Sequence, residues 1–307
     1  MSTELAPNHG PVKLNLAIGP DCPIRCEGCY NVFAEFGDDQ KLVTAAEVIG
    51  FAAAASELGL DQITLSGGDP LHHPEIVDIV QDLRPYAEFI QMDTVGTAFM
   101  GETAVLYQGR VPGAKVPKVS MEAVGASIDQ LNLPIDDGGR KRLEFRKGRS
   151  KLAFETDDLI WQATYEQVLV GINTVVTAAN IGHLLDIRDI VEEHRVHEWQ
   201  LFQFDPFGPN PSRLKTALQV SDAAFNEATG QLESEIFVED GVIVSPLLSV
   251  KGLRQRIGSY IMINAAGIAH REELVEDSGA YSKQIHVVGH IVRNEAAVLD
   301  AIFAQHR

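Results

Sequence analysis

Apolar and polar residues alternate along this chain with two different periods, and the changes between them predict a succession of strands and helices. Leu14, Leu16 and Ile18 recur at every second position, which predicts a strand over residues 12–18. Thr44 and Glu47 have capping-box spacing, so a helix is expected to begin there and to continue to about residue 58. The same reasoning places further strands at residues 62–65, 88–93, 130–135, 172–177 and 199–204, and further helices at residues 74–86, 120–126, 157–170 and 183–194.

The order of these elements predicts an α/β fold in which parallel strands are joined by helical crossovers. Such a succession is typical of an α/β barrel or of a doubly wound sheet. After Pro211 the pattern changes, with a helix at residues 221–232, short strands at 242–244 and 260–263, and a last helix from Glu295. We therefore predict a core at residues 1–211 and a C-terminal α/β extension, residues 212–307, packed on it.

Composition and charge narrow the class of partner. The formal net charge is -18, whereas a nucleic-acid binder needs basic residues to neutralise phosphates. No apolar run approaches the ~20 residues that cross a bilayer. The first ten residues lack the basic start and the apolar core of a signal peptide. The expectation is a cytoplasmic protein that acts on a small molecule, with neither nucleic acid nor membrane as a partner.

All three cysteines of the chain lie in one short segment, Cys22-Pro-Ile-Arg-Cys26-Glu-Gly-Cys29, directly after the first predicted strand. Active sites of parallel α/β units lie at this end of their strands. Iron–sulfur cubanes usually take four thiolates, so three would leave one iron open to bind a reactant. The alternative is a structural zinc site, which would need a fourth ligand such as His72 or His73.

A second motif makes the pattern specific. The C-x3-C-x2-C segment, followed after the next strand by Gly67-Gly68-Asp69, resembles the radical S-adenosylmethionine (SAM) superfamily over roughly residues 12–208. Residues 29–31 and 65–72 are also similar to the anaerobic ribonucleotide reductase activases, and the C-terminal part is weakly similar to viperin. Val95 and Pro134 depart from the superfamily's usual Asn and Ser at those positions.

The resemblance implies a partial (β/α)6 TIM-like barrel, a [4Fe–4S] cluster held by Cys22, Cys26 and Cys29, and SAM bound at the open iron. An electron from a flavodoxin- or ferredoxin-type donor would cleave SAM, and the resulting 5′-deoxyadenosyl radical would take a hydrogen atom from substrate. The protein would supply binding, orientation and protection of the radical.

Candidate SAM-binding residues lie at or near the predicted strand ends. The glycine turn suits the methionyl end of SAM, and Asp69 would accept a hydrogen bond from its ammonium group, as the superfamily's usual Glu does. Each of these residues has the alternative role of a turn or capping residue. The full set is Ser66, Gly67, Gly68, Asp69, Thr94, Asn132 and Asp136.

Candidate substrate-facing residues come from one strand and two long loops. Gln203 and Asp205 are two residues apart, which predicts that they share the barrel's interior face. The basic stretch 140–151, which includes Arg146, and residues 107–118 are predicted to form a rim and lid, with plain surface loop as the alternative.

Three functions are compatible with these motifs. The favoured one is a radical SAM enzyme that acts on a sugar, cyclitol, nucleotide or related metabolite. The second is an activase that places a glycyl radical on a partner protein, and the third is a zinc- or cluster-binding interaction module. The sequence does not identify the substrate or the fate of SAM.

Overall fold

A computed structural model of the 307-residue chain describes the molecule in several ranges. These are residues 11–22, 26, 28–29, 42–100, 118–137, 153–207, 211–233, 238–239, 242–243, 246–257, 260–277 and 280–304.

Within these ranges the strands, in chain order, are β1 Lys13–Ala17, β2 Gln62–Ser66, β3 Phe89–Asp93, β4 Gln130–Pro134, β5 Leu169–Val176, β6 Glu198–Gln203, β7 Val238–Glu239, β8 Val242–Ile243, β9 Leu247–Lys251, β10 Met262–Ile263, β11 Ile268–Asp277 and β12 Ala280–His290. The α-helices are α1 Ala45–Ser56, α2 Ile76–Leu83, α3 Thr97–Met100, α4 Met121–Gly125, α5 Ala153–Tyr165, α6 Leu184–Glu193, α7 Pro211–Leu218, α8 Asp222–Glu233, α9 Leu253–Arg256 and α10 Glu295–Ala304. Short 3-10 helices span Pro70–His72, Arg84–Tyr86 and Ile181–His183.

One sheet carries the fold, in the strand order β12-β11-β10-β1-β2-β3-β4-β5-β6-β9. Strands β1 to β6 follow one another in sequence order and pair in parallel, as a partial (β/α)6 barrel requires. No ladder joins β12 to β9 among the described residues, so the barrel is open on one side. The prediction of an α/β fold with a partial barrel is confirmed.

The outer faces of the strands bury the apolar residues of the alternating pattern. Leu14 and Leu16 of β1 are buried, and so are Ile63 and Leu65 of β2. Helix α1 packs on this face and begins as predicted. The Glu47 amide donates to Thr44 Oγ1 at 3.3 Å, and the Thr44 amide donates to Glu47 Oε2 at 2.7 Å. Packing against these apolar residues keeps the parallel strands in register, so their carboxyl ends lie at the same edge of the sheet.

The structure differs from the predicted elements in two places. The helix expected at residues 157–170 ends at Tyr165, because Gln167 adopts a left-handed φ of 62° and lets the chain turn directly into β5. The hairpin of β11 and β12 and the strand β9 were not predicted at all.

Strands of the C-terminal part pair with both edges of the sheet formed by β1 to β6. Strand β10 pairs in parallel with β1, and β9 pairs in parallel with β6. Strands β9 to β12 therefore extend the β1–β6 sheet, whereas β7 and β8 form a separate antiparallel pair, and the domain boundary itself stays a prediction. No helix in the described part of the chain combines the length and apolar character needed to span a membrane.

Candidate active site

The glycine turn after β2 is bonded directly to the chain that leads into the cysteine segment. The Gly68 amide donates to the Gly19 carbonyl at 2.8 Å, and the Asp69 amide donates to the Asp21 carbonyl at 2.7 Å. Asp21 immediately precedes Cys22. Two motifs that lie about forty residues apart in the sequence therefore meet at the carboxyl ends of adjacent strands.

Glycine is required at both positions of this turn. Gly67 has a φ of +131°, and a Cβ on it would lie 2.5 Å from the Gly19 carbonyl oxygen. A Cβ on Gly68 would overlap the backbone carbonyl of Asp21. The turn and the start of the cysteine segment are in backbone contact, so any side chain here would push the two apart.

Asp69 organises the turn through bonds within the protein. Its Oδ1 accepts from Thr94 Oγ1 at 2.6 Å and from the Leu71 amide at 3.2 Å, while Oδ2 accepts from the Val95 amide at 3.2 Å. Burial raises the pKa of Asp69, and the bond from Thr94 opposes that shift. The carboxylate thus ties the end of β3 to the glycine turn, and its predicted contact with the SAM ammonium stays a prediction.

The three cysteines are half-buried and none is in a disulfide. The Cys29 amide donates to the Cys26 carbonyl at 3.2 Å, which forms a tight turn between these two residues. Among the described residues, no three His, Cys, Asp or Glu side chains converge on one point. The assignment of these three thiols to a [4Fe–4S] cluster stays a prediction.

Asn132 lies in the middle of β4 and Asp136 follows the end of this strand, and the two have different partners. Asn132 Nδ2 donates to Asp93 Oδ1 at 2.7 Å inside the barrel. Asp136 Oδ1 accepts from the Val175 amide at 2.7 Å and so binds β4 to β5. Asn180, which the sequence did not single out, donates to the Asp136 and Val175 carbonyls at 2.9 Å each.

Gln203 lies on the outer face of β6, contrary to the prediction that it faces the barrel interior. It shares this face with Trp199 and Leu201 because side chains alternate along a strand. Its Nε2 donates to the Val220 carbonyl at 3.0 Å, and its Oε1 accepts from the Leu253 amide at 2.7 Å. Gln203 therefore joins β6 to the C-terminal helices.

Asp205 belongs to a buried ion cluster. Its Oδ2 is 3.0 Å from Lys283 Nζ and 3.2 Å from an Arg256 guanidinium nitrogen, and Lys283 also contacts Glu272 Oε1 at 2.8 Å. The side chains of Asp205 and Lys283 are only 5% and 3% exposed, so substrate would have to displace these partners. The predicted substrate contact of Asp205 has no support in this geometry.

Arg146, the basic stretch 140–151 and the predicted lid, apart from Lys118, lie outside the described residues. Their assignment to the rim of the site stays a prediction.

The barrel interior is polar, which the sequence analysis did not identify. Asp93, at the inner side of the end of β3, accepts from Asn132 and also from Gln91 Nε2 at 3.4 Å and Asn173 Nδ2 at 3.5 Å. Burial raises the pKa of Asp93, and the bond from Asn132 opposes that shift. The register of β3, β4 and β5 brings these residues together, and a single strand pattern does not contain that information.

Several known proteins with similar sequences are named as GTP 3′,8-cyclases. The probable GTP 3′,8-cyclase of Pyrococcus horikoshii is 24% identical over 120 residues, which are 39% of this chain and 35% of that protein. The GTP 3′,8-cyclase of Rippkaea orientalis is 24% identical over 215 residues, 64% of this chain and 56% of that protein. In both cases the matched stretch covers less than two thirds of the relative.

Solved structures share the fold. Native anSMEcpe with bound AdoMet and a peptide superposes with a TM-score of 0.62 at 12% identity, covering 94% of this chain and 80% of that one. Streptococcus suis SuiB bound to S-adenosylmethionine superposes with a TM-score of 0.59 at 14% identity, covering 80% of this chain and 51% of that one.

The family model described as the radical SAM superfamily matches residues 16–178, which is more than half of the chain. The match begins within β1, contains the cysteine segment and the glycine turn, and ends just after β5. This chain belongs to the radical SAM superfamily.

Proposed function

We propose that this radical SAM enzyme cleaves SAM reductively and abstracts a hydrogen atom from a small polar molecule held inside the barrel. The observation that carries the proposal is the pair of backbone bonds from Gly68 and Asp69 to Gly19 and Asp21. They set the glycine turn beside the cysteine segment, where one ligand can meet both. Asp93 and Asn132 lie next to this point on the inner face of the sheet.

The residues present fit the cofactors of the superfamily, a [4Fe–4S] cluster and SAM. Cys22, Cys26 and Cys29 would supply the three thiolates that leave one iron without a protein ligand. The glycine turn is bonded through its Gly68 and Asp69 amides to the chain that leads into these cysteines, so it lies where a ligand of the open iron would bind. When bound, the two cofactors together supply a carbon-centred radical. The Thr94 hydroxyl donates to Asp69 of the glycine turn, so in this proposal these two residues position the turn.

A small-molecule substrate is supported by the interior of the barrel. Ordinary barrels fill this space with branched apolar side chains, whereas Gln62, Gln91, Gln130 and Gln200 occupy inner-face positions here. Buried polar groups are costly unless they are hydrogen-bonded, so such an interior is typical of a site that binds a polar ligand. A cytoplasmic location and a flavodoxin- or ferredoxin-type electron donor complete the proposal.

Transfer of deuterium to 5′-deoxyadenosine tests the size of the substrate. The reduced enzyme and SAM are incubated with an extract of cells grown in deuterated medium, separated into a low-molecular-mass filtrate and a protein fraction. Deuterated 5′-deoxyadenosine from the filtrate alone is the expected result. Deuterium transfer from the protein fraction alone would favour an activase or a peptide-modifying enzyme.

A further inference from the structure

The inner face of the sheet carries a continuous chain of hydrogen-bonded side chains, which come from the five strands β2, β3, β4, β6 and β9. Starting at β2, the bonds run from Gln62 to Gln91 (3.1 Å), Gln91 to Asp93 (3.4 Å), Asn132 to Asp93 (2.7 Å), Gln130 to Asn132 (2.8 Å), Gln130 to Glu198 (3.1 Å), Gln200 to Glu198 (2.9 Å) and Lys251 to Gln200 (2.7 Å).

This chain fixes the direction of every amide in it. The two carboxylates, Asp93 and Glu198, accept at fixed points, and Lys251 donates at the far end. Lys251 Nζ also lies 5.2 Å from the centre of the Phe202 ring, so its charge has a partner on β6. A fully connected network of this kind holds its polar atoms rigidly.

Two acceptor atoms at the Asp93 end of this network have no donor in the described part of the chain. Asp93 Oδ1 takes three bonds, whereas Oδ2 takes none from the described residues. Asn173 Oδ1 is enclosed and has no hydrogen-bond partner among the described residues. Its amide cannot turn over, because Oδ1 would then face the Asp93 carboxylate. A buried acceptor left without a donor costs free energy unless a ligand or water supplies one.

The acceptors are next to the proposed cofactor site. Asp93 immediately precedes Thr94, and the Thr94 hydroxyl donates to Asp69 of the glycine turn. Successive side chains of a strand point to opposite sides, so Thr94 is directed to the turn while Asp93 is directed to the interior. Because the two residues are adjacent in the chain, a molecule bound at Asp93 would lie at the same strand end as the glycine turn.

We propose that Asp93 Oδ2 and Asn173 Oδ1 bind the substrate through hydrogen bonds that the substrate donates, and that they select a neutral or cationic molecule with neighbouring hydroxyl or amino groups. The proposal rests on the proposed function and deepens it by naming the substrate class. An anionic group at this position would meet the carboxylate of Asp93, and like charges at contact distance repel.

The test measures dissociation constants by ligand-observed NMR on the cluster-loaded protein saturated with SAM. The probes are glucosamine, which offers an ammonium and hydroxyl groups, and glucuronate, which has a similar ring and a carboxylate. Glucosamine should bind about tenfold more tightly, since a charge-assisted hydrogen bond contributes roughly that factor. In Asp93→Asn the preference should fall to within about threefold, and Asn173→Ala should weaken glucosamine binding by about threefold.

Asp189→Asn is the matched control, because Asp189 is 75% exposed on α6 and loses the same charge. It should keep the full preference. Equal or tighter binding of glucuronate, a preference unchanged by Asp93→Asn, or no binding of either sugar at millimolar concentration would overturn the acceptor pair. SAM cleavage by the unsubstituted enzyme is assayed in parallel. If SAM is cleaved but glucosamine is not preferred, only the role of Asp93 and Asn173 in substrate binding is rejected. If glucosamine is preferred but SAM is not cleaved, the proposed function is rejected.

Discussion

Asp205 and Lys283 form an ion pair of 3.0 Å between the two ends of the sheet. Asp205 follows β6, and Lys283 lies on β12, which is at the opposite end of the strand order. Side chains therefore bridge the open side of the barrel, where the described strands form no backbone ladder. Burial opposes the charge of Lys283, yet the carboxylates of Asp205 and Glu272 hold its pKa above the ordinary value.

Removing Lys283 tests whether this bridge fixes the C-terminal hairpin. Lys283→Met leaves two buried carboxylates without their shared cation, and breaking a buried pair in this way typically costs about 3–5 kcal/mol of unfolding free energy. Arg271→Met is the matched control, because Arg271 is exposed on the same hairpin. A thermal unfolding midpoint equal to that of the control would contradict the bridge.

The raised pKa of Asp93 predicts a pH-dependent gain in stability when its charge is removed. A carboxyl group with a folded pKa above its unfolded value of 3.8 favours folding at low pH, and that contribution is lost as pH rises through the folded pKa. Burial is the main cause, and Lys251 is the opposing cation nearby. The Asn variant avoids this loss. Asp93→Asn should therefore melt at a higher temperature than the native protein at pH 7, with a difference that shrinks as the pH falls through the folded pKa of Asp93. A lower midpoint at pH 7 would show that the charged form is stabilising.

Most of the barrel was predictable because its strands bury one apolar face and its first helix has a capping box. Six of the strands and the helix beginning after Thr44 follow directly from those patterns. The C-terminal hairpin was missed because it carries charged residues along both strands, including Glu272 and Lys283, whose partners come from a distant part of the chain.

The candidate site was predictable only where the sequence motif is contiguous. The cysteine segment and the glycine turn were identified from adjacent residues, and the structure brings them together. Gln203 was assigned to the wrong face because spacing alone shows that two residues share a side, not which side it is. Asp93 and Asn173 come from different strands, so their proximity depends on sheet register.

A substitution at Gly68 tests whether the backbone contact between the glycine turn and the cysteine segment is needed for cluster binding. In Gly68→Ala the new Cβ would overlap the Asp21 carbonyl, so the backbone must move and the thiols with it. Iron bound after anaerobic reconstitution should fall well below the cubane value of about four per chain. Gly50→Ala is the control, because a Cβ on Gly50 in α1 has no neighbour within 4 Å. Full iron loading of Gly68→Ala would contradict the contact.

Replacing Asp69 tests whether its bonds to the residues after β3 hold the glycine turn in place for SAM binding. Asp69→Ala removes the acceptor of the Thr94 hydroxyl and of the Leu71 and Val95 amides. SAM affinity, measured by equilibrium dialysis on cluster-loaded protein, should fall by about tenfold or more, since each lost bond contributes roughly 1 kcal/mol. Thr94→Val separates the two roles, because it keeps the carboxylate and should cause a smaller loss. An unchanged affinity in Asp69→Ala would place the SAM site elsewhere.

Release of 5′-deoxyadenosine from SAM tests the central claim most directly. The anaerobically reconstituted, dithionite-reduced protein should release this product slowly even without substrate, and Cys22→Ala, Cys26→Ala and Cys29→Ala should each abolish the release. A native protein that binds zinc in place of iron and forms no 5′-deoxyadenosine, or cysteine variants that retain the activity, would contradict the account.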